Sequence, residues 1–192
     1  VITPPNLPIA NPDLLTTKED TAVTFNATSN DDAGSKGPIQ INEINGQIVV
    51  PGGSVTVAHG TVTLNADGTL TINPEANYTG NISFAYTVAD VAGQTANATV
   101  TVQVSAVNDV PVIDGSGSQS VTTPEDQAVS GKVTATDADG DNLTFSKGSD
   151  PSHGSVTVNP DGSWTYTPKP DYNGTDSFTV TVSDGKNGNA QV

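Results

Sequence analysis

The chain has 192 residues, with 21 acidic against 6 basic residues and a formal net charge of −15. Too few lysines and arginines remain to neutralise a phosphate backbone, so this balance excludes nucleic acid as a partner. Hydrophobic residues make up 33% of the chain, and no apolar run approaches the length of a bilayer span, so we predict a soluble chain without membrane insertion.

Along the first half of the chain, apolar and polar residues alternate in short runs. A period of two is typical of strands that lie with one face on a core. The residues of these runs are 22–25, 60–64, 69–72, 82–88 and 99–104. Between two of them stands Asp67-Gly68, a pair that supplies the positive φ of a hairpin turn.

The second half repeats the pattern of the first. Alternating runs occupy 121–123, 131–136, 155–158, 163–167 and 177–182. The turn markers His59, Asp67, Tyr78 and Asp90 recur at a constant offset of 94 residues (153 − 59), as His153, Asp161, Tyr172 and Asp184. A constant offset over so many markers indicates one structural unit in tandem.

The two copies differ in length. Glu19-Asp20 recurs as Glu125-Asp126, an offset of 106 (125 − 19). The first copy therefore carries about 12 more residues (106 − 94), and we predict that they form an extra hairpin containing Ile44-Asn-Gly46 and Val50-Pro-Gly-Gly53. After Asp184 only residues 185–192 remain, so the final strand of the second copy is predicted to be largely missing.

These patterns predict an all-β protein made of two tandem immunoglobulin-like, Greek-key β-sandwiches. The predicted domains are 1–106, with the hairpin insertion, and 107–192, which lacks most of its last strand. No cysteine is present, so disulfides do not stabilise these small cores. Bound calcium is the alternative external stabiliser that the acidic composition suggests.

The strongest local motif is Asp137-Ala-Asp139-Gly-Asp141-Asn142. Carboxylates at alternate positions around a glycine let several oxygens converge on a hard cation such as Ca²⁺. An EF-hand is excluded, because its glycine and glutamate positions hold Asn142 and Gly148 and the flanking segments are strands rather than helices. We therefore predict a calcium site of another kind.

Several phrases of the chain together carry a family resemblance. They include Thr123-Pro-Glu-Asp126, Ala135-Thr-Asp-Ala-Asp139, Asp171-Tyr-Asn-Gly-Thr-Asp-Ser-Phe178, Val182-Ser-Asp-Gly185 and Val107-Asn-Asp-Val-Pro111. The chain resembles the cadherin-like tandem repeats of large bacterial RTX adhesins and biofilm surface proteins. The resemblance covers both copies and is strict only in the second. It implies calcium between successive repeats of the same chain, which are then its partners.

The resemblance also implies which residues would bind that calcium. The implied ligands between the copies are Glu19, Glu75, Asn77, Asn108, Asp109, Asp137, Asp139 and Asp184, with Asp141 and Asn142 in reserve. Glu125, Asp126, Asp171 and Asn173 would face a following domain as half-sites. Asn30, Asp31, Asp32 and Asp90 stand where an upstream site would lie, but the motif there is looser.

The resulting prediction is a calcium-rigidified extender of a bacterial cell-surface adhesin, exposed outside the cell. Two alternatives stay open. One is a module that binds a glycan or a second copy of itself through the insertion or an exposed sheet. The other is an accessory domain of a polysaccharide-degrading enzyme. The chain itself is not expected to be an enzyme, since it has no nucleophile elbow, phosphate loop or dinucleotide fingerprint.

Overall fold

The computed structural model describes residues 6–115 and 117–192, and it divides into two compact units, 1–107 and 108–192. We call them the first and the second domain and describe each by itself. The first predicted domain includes residues 1–5, which lie outside the described residues. Within the described ranges no helix has the length and apolar character that crossing a bilayer requires.

The first domain is built of two β-sheets. The strand order is β1-β9-β8-β3-β4 in one sheet and β2-β7-β6-β5 in the other. β1 runs parallel to β9, and the other pairs are antiparallel. The strands are β1 (Asp13–Lys18), β2 (Val23–Phe25), β3 (Gln40–Ile44), β4 (Gln47–Ile48), β5 (Ser54–Val57), β6 (Gly60–Leu64), β7 (Leu70–Pro74), β8 (Gly80–Ala89) and β9 (Thr95–Ser105), with one 3-10 helix at Ala27–Asn30.

The core of the first domain follows the predicted alternation. In β6, Gly60, Val62 and Leu64 are buried while Thr61 and Thr63 are partly exposed. β8 buries every second residue from Ile82 to Val88. The buried faces of both sheets form one apolar cluster, so the chain folds as a two-layer sandwich.

The predicted insertion forms two short strands that join different sheets. Asn45 and Gly46 both have positive φ, 48° and 72°, and they connect β3 to β4 in a tight hairpin turn. After Val50–Gly53 the chain crosses to the second sheet, where β5 pairs with β6. β4 and β5 have no counterpart in the second domain, so they account for the extra length.

The second domain repeats this arrangement with fewer strands. Its strand orders are β10-β12, β11-β15-β14 and β13-β16-β17. Trp164 is 4% exposed and belongs to the apolar core. The strands are β10 (Val112–Ile113), β11 (Val129–Lys132), β12 (Ala135–Thr136), β13 (Thr144–Ser149), β14 (Gly154–Val158), β15 (Ser163–Pro168), β16 (Thr179–Ser183) and β17 (Asn189–Gln191).

Three strand predictions need correction. Residues 121–123 form no strand, the run 131–136 is divided between β11 and β12, and residues 177–178 lie before β16 begins. In the first domain the equivalents of 121–123 and 177–178 pair with residues 100–104 of β9. Among the described residues of the second domain no strand pairs with 121–123 or 177–178, and strand propensity alone does not form a ladder. β17 itself has three residues against eleven in β9.

Candidate metal site

An acidic loop follows β12 in the second domain. The Oδ1 atom of Asp137 accepts hydrogen bonds from the backbone N–H groups of Asp139 at 3.0 Å and Asp141 at 3.2 Å. Gly140 has a φ of 73°, a left-handed conformation that glycine adopts without strain. These two hydrogen bonds bend the loop so that the side chains of Asp139 and Asp141 lie close to that of Asp137.

The three carboxylates of this loop converge. Asp137, Asp139 and Asp141 each offer one oxygen, and these oxygens lie within 4.8 Å of one another. The Oδ2 atoms of Asp137 and Asp141 are buried and accept no hydrogen bond from the described residues. Buried carboxylate oxygens without a donor are costly, and a hard cation that prefers oxygen ligands would satisfy them. We call Asp137, Asp139 and Asp141 the acidic loop cluster.

One lysine already counters part of this charge. Lys186 Nζ lies 2.7 Å from Asp141 Oδ1, with the lysine side chain 59% exposed and the aspartate side chain 13% exposed. The hydrogen bond and charge of Asp141, followed by the charges of Asp139 and Asp137, raise the pKa of Lys186. A single ammonium group leaves the cluster with a formal charge of about −2.

Asp184 lies at the end of β16 and is 5% exposed. Its Oδ1 accepts from the backbone N–H groups of Lys186 at 2.6 Å and Gly188 at 2.9 Å, and its Oδ2 accepts from Asn108 Nδ2 at 2.7 Å. The Asn108 hydrogen bond is the largest cause that lowers the pKa of Asp184 below its usual range; desolvation opposes it, and the backbone donors Lys186 and Gly188 add to it. This side chain is therefore held ionised.

The first residues of the second domain are tied to the same region. Asp109 donates from its backbone N–H to Asp139 Oδ2 at 2.8 Å, while Asn108 reaches Asp184. Asn142, which the sequence placed in reserve, is exposed. Of the implied ligands, the structure thus brings Asn108, Asp109, Asp137, Asp139, Asp141 and Asp184 into one region of the second domain.

In the first domain Glu19 follows β1 and is 4% exposed. Its Oε1 accepts a hydrogen bond from the backbone N–H of Val107. Asp20 has a φ of 54°, and its Oδ1 accepts from the backbone N–H of Asn77 at 3.0 Å. These contacts place Asn77 beside Asp20, a residue that the sequence analysis did not include among the implied ligands. Glu75 is directed to His59, with 3.5 Å between Oε2 and Nδ1.

The second domain repeats part of this geometry. Asp126 has a φ of 60° and accepts at Oδ1 from the backbone N–H of Asp171 at 3.0 Å. Asp171 is therefore the counterpart of Asn77, whereas Asn173 is exposed two residues further along the chain. Glu125 is exposed although its counterpart Glu19 is buried. Of the four residues implied for this half-site, the structure thus joins Asp126 and Asp171.

Of the implied upstream residues of the first domain, Asp31 contacts a buried tyrosine and the other three have separate partners. Tyr86 Oη lies 3.1 Å from both carboxylate oxygens of Asp31 and is fully buried. Asn30 Nδ2 donates to Pro12 O at 3.2 Å. Asp32 Oδ1 accepts a hydrogen bond from Gly34 N at 2.8 Å. Asp90 is 6% exposed, and its Oδ1 accepts from Ala92 N and Gln94 N. The Oδ2 atom of Asp90 is buried without a hydrogen-bond partner among the described residues.

Asp13 was missed by the sequence analysis. Its Oδ2 is buried without a hydrogen-bond partner among the described residues. Burial, followed by the negative charge of Asp31, raises the pKa of Asp13 to about 6. Asp13 stands at the start of β1 rather than in an acidic run, so no local signal distinguishes it. Only the fold places its carboxylate close to that of Asp31.

The repeated turn residues have structural partners. Asp67 Oδ1 accepts from Thr69 N and Oγ1, and Asp161 Oδ1 accepts from Ser163 N and Oγ, at 3.0 and 2.6 Å in each case. His59 and His153 stack on Tyr78 and Tyr172, with ring centroids 4.1 and 4.2 Å apart. None of the Phe, Trp and Tyr side chains in the described ranges is exposed, so an exposed pair of these residues for stacking sugars is not found there.

In each of the two domains β-sheets pack over one apolar core, which defines the class: the chain consists of tandem immunoglobulin-like β-sandwich domains, as predicted. The sequence matches the model of the family described as "Bacterial Ig domain" over residues 5–103 and again over residues 108–192. The chain therefore belongs to the bacterial Ig domain family. No curated protein matches the sequence.

Several solved structures have a similar fold. A structure of PcdhgB3 EC1-4 matches with a TM-score of 0.54 and 14% identity over 97% of this chain and 48% of that one. Human CDH23 EC21-23 matches with a TM-score of 0.49 and 16% identity over 94% of this chain and 65% of that one. The endo-fucoidan hydrolase MfFcnA4, from glycoside hydrolase family 107, matches with a TM-score of 0.37 and 21% identity over 97% of this chain and 28% of that one.

The chain spans less than two thirds of each of these structures. At 14% identity the likeness to PcdhgB3 EC1-4 concerns the fold. It agrees with the cadherin-like sandwich that the sequence predicts.

Proposed function

We propose that the two domains are calcium-stabilised repeats of a bacterial cell-surface adhesin. Their role is mechanical: they form part of an extender that projects other domains of the parent protein from the cell for adhesion or biofilm formation. Membership of the bacterial Ig domain family and the cadherin-like fold support this class of function. The RTX-type context rests on the sequence resemblance alone.

The observation that carries the proposal is the acidic loop cluster. Three carboxylates meet within 4.8 Å, and two of their oxygens are buried without a donor among the described residues. In the folded state the mutual repulsion of these groups lowers stability, and a divalent cation would reverse that effect. Calcium fits the donor set because it takes six to eight oxygen ligands, which carboxylates and backbone carbonyls provide.

Asp137, Asp139 and Asp141 would hold the ion through their carboxylates. Asp109 lies beside them through its hydrogen bond to Asp139, and Asn108 lies beside Asp184. A bound ion would therefore stabilise both the loop after β12 and the first residues of the second domain. Glu19, Glu75 and Asn77 remain the proposed ligands from the first domain, and we add Asp20 to them.

We expect calcium to restrain the residues on either side of the domain boundary. Val107, the last residue of the first domain, donates to buried Glu19, and Asn108, the next residue, donates to Asp184. Residues on both sides of the boundary are therefore held by their own domains. Calcium would strengthen this restraint and reduce the freedom of the linker, which is the property that an extender requires.

Calcium-dependent unfolding of the second domain tests the metal site. Trp164 is the single tryptophan of the chain and lies in that core, so its fluorescence reports the second domain alone. At a calcium concentration 100 times the dissociation constant, the expected gain in the free energy of unfolding is about 2.7 kcal/mol. Asp137→Asn keeps the Oδ1 acceptor and should weaken this gain, whereas Asp161→Asn, in an exposed turn, should not.

Small-angle X-ray scattering with calcium and with excess chelator tests the mechanical role. The expected result is a longer and more uniform particle in calcium, together with a loss of this difference in Asp137→Asn. If the unfolding midpoint and the scattering curve are both the same in calcium and in chelator, the proposal is wrong. A calcium-dependent midpoint with an unchanged scattering curve would retain the metal site and reject the mechanical role.

A further inference from the structure

One edge of the β11-β15-β14 sheet in the second domain is uncovered. β14 (Gly154–Val158) stands at the end of this sheet, and no described strand of the domain pairs with its outer side. In the first domain the equivalent strand, β6, is covered at the same edge by β5. The difference arises within the repeat itself, because β5 belongs to the insertion that only the first copy carries.

The backbone of β14 directs hydrogen-bonding groups to this uncovered edge. At one end of the strand His153 O accepts from Lys169 N at 2.8 Å, and at the other end Asn159 N donates to Ser163 O at 2.8 Å. Both bonds are directed to the side of β15. Directions alternate along an antiparallel ladder, so every second residue between these bonds points its N–H and C=O away from β15. The residues with outward groups are Gly154, Val156 and Val158.

β14 lacks the features that usually protect an exposed edge strand. Lysine, proline or a β-bulge in such a strand hinders pairing with another chain. β13, at the edge of the other large sheet of this domain, has both a lysine and a register shift, which falls between Lys147 and Ser149. β14 pairs with β15 without a shift, and its five residues, Gly-Ser-Val-Thr-Val, include neither a charge nor a proline. The edge of β14 is therefore able to accept a further strand.

The strand that covers this edge in the first domain has the sequence of β14 itself. β5 reads Ser54-Val-Thr-Val57, and β14 contains the same four residues as Ser155-Val-Thr-Val158. In β5 the two valines are buried against the core, and the serine and the threonine face outward. A second copy of β14 therefore has the side chains that fit this edge in the first domain.

We propose that β14 pairs antiparallel with β14 of a second copy of the chain and joins the two sheets edge to edge. The register of β5 on β6, transferred by the repeat, places Val156 opposite the partner's Val156 and Ser155 opposite the partner's Thr157. All five residues of β14 are then paired. The outward residues form three hydrogen-bonded pairs with two N–H···O bonds each. Both apolar cores lie on the same side of the joined sheet, because directly opposite side chains share one face.

The charge near β14 does not oppose this pairing. The chain carries a net charge of −15, but β14 is uncharged. The carboxylates nearest to it in sequence, Asp150 and Asp161, each have a lysine partner, Lys147 at 2.5 Å and Lys132 at 3.9 Å. An edge pair of five residues buries little surface, so the dimer is weak and depends on concentration.

Sedimentation equilibrium of the chain over a range of concentrations tests the proposal. The expected result is a reversible rise in mass from that of one chain toward that of two, up to chain concentrations of about 1 mM, where weak interfaces become populated. Circular dichroism and Trp164 emission verify that the parent chain and each variant are folded.

Two double variants test the register of the pair. Ser155 and Thr157 are exposed, so substitutions there leave the core intact. Ser155→Lys with Thr157→Glu places opposite charges face to face at both ends of the pair and should tighten the dimer by a factor of about 2 to 30. Ser155→Lys with Thr157→Lys places like charges face to face and should abolish it.

A matched control lies in the first domain. Thr61→Lys with Thr63→Lys alters the equivalent positions of β6, whose edge β5 already covers. This variant should associate as the parent chain does. A loss of association equal to that of Ser155→Lys with Thr157→Lys would overturn the proposal, because the added charge alone would then explain both results.

The proposal is also overturned if the parent chain and the variant with opposite charges both keep the mass of one chain at every concentration. Equal dissociation constants for the two double variants of β14 would exclude the register. Growth beyond two chains would exclude the pairing of β14 with itself, since that pairing closes at two copies. No residue of β14 belongs to the proposed metal site, so the outcome is separate from that of the proposed function.

Discussion

Asn108 donates a hydrogen bond from Nδ2 to Oδ2 of Asp184 at 2.7 Å, across 76 residues of sequence. Asn108 is the first residue of the second domain, and Asp184 is a buried carboxylate at the end of β16. This hydrogen bond joins the first residue of the second domain to the end of β16. It also lies beside the acidic loop cluster, since the next residue, Asp109, is bonded to Asp139. The fold of the second domain and the proposed metal site therefore depend on the same residues, Asn108, Asp109, Asp139 and Asp184.

Asn108→Ala should lower the stability of the second domain at neutral pH. The hydrogen bond from Asn108 makes the largest contribution to lowering the pKa of Asp184. A carboxyl group with a lowered pKa adds stability above its ordinary pKa, and this stability is lost as the pH falls through the lowered value. In the variant the unfolding midpoint at pH 7 should therefore fall, and its decrease toward acid pH should be less steep.

Thermal unfolding of the variant and the parent chain between pH 2 and pH 7 measures this effect. Asn173→Ala is the control, since Asn173 is an exposed residue of the same domain. Equal midpoints for Asn108→Ala and the parent chain at pH 7 would contradict the role given to the contact.

Lys186→Gln should make the second domain more dependent on calcium. The Lys186 ammonium group lies 2.7 Å from Asp141 Oδ1 and counters part of the cluster charge. Without it the carboxylates repel one another more strongly, and no positive charge opposes a cation. The variant should unfold at a lower temperature in chelator and bind calcium more tightly.

Calorimetric calcium titration and Trp164-monitored unfolding give the two quantities. Lys147→Gln removes a lysine that is paired with Asp150 elsewhere in the domain and is the matched control. An unchanged calcium affinity in Lys186→Gln would place the ion away from Asp141.

Asp13→Asn should stabilise the first domain at neutral pH. Burial and then the charge of Asp31 raise the pKa of Asp13 from 3.8 to about 6. Between these values the folded state binds more protons than the unfolded state, so stability falls as the pH rises across this interval. The variant lacks this titration and should be the more stable chain above pH 6.

The difference between Asp13→Asn and the parent chain should disappear below about pH 4, where Asp13 is protonated in both states. Urea unfolding followed by circular dichroism at several pH values measures it. Glu43→Gln removes one negative charge from the same domain and controls for net charge. A stability gain that is the same at pH 4 and pH 7 would exclude the titration of Asp13 as its cause.

Gly131 and Trp164 should show strong energetic coupling. The two residues lie opposite each other in β11 and β15, and a Cβ atom at Gly131 would come within 2.4 Å of Trp164 Cζ2. In the first domain the equivalent pair is Phe25 opposite Leu70. The larger side chain of the pair stands on β2 in the first domain, as Phe25, and on β15 in the second, as Trp164. Each pair thus fills one common space between its two strands.

Gly131→Phe and Trp164→Leu should each destabilise the second domain by about 2 kcal/mol or more, through overpacking and through a cavity. The double variant should recover part of this loss, with a coupling energy of about 0.5–3 kcal/mol. Differential scanning calorimetry measures all three chains without relying on tryptophan. Additive effects would show that the two positions do not share one volume.

Much of the fold could be predicted because its signals are local. Alternation located β6, β7, β8 and β9, and Asn45-Gly46 indicated a hairpin turn. β1 was not predicted, since its run Leu14-Leu15 breaks the alternation and its strand state depends on pairing with β9. For the same reason residues 121–123 were wrongly predicted as a strand: strand propensity alone does not form a ladder.

Of the residues at the candidate site, some could be predicted from a local motif and others only from the fold. Asp137, Asp139 and Asp141 could be found because a single turn brings them together. Asp20 and Asp13 could not, since Asp20 meets Asn77 across 57 residues and the raised pKa of Asp13 arises from the neighbouring Asp31. Glu75 Oε2 lies 3.5 Å from His59 Nδ1 in the fold, and its place among the implied ligands stays a prediction.

The sequence by itself determined the period-two pattern, the tandem repeat, the turns and the acidic loop, because each depends on neighbouring residues and on the conformations that they allow. Only the tertiary structure decided which strands pair with one another and which carboxylates are buried. Those properties arise from contacts between residues far apart in the chain, and burial and charge coupling have no local signature in the sequence.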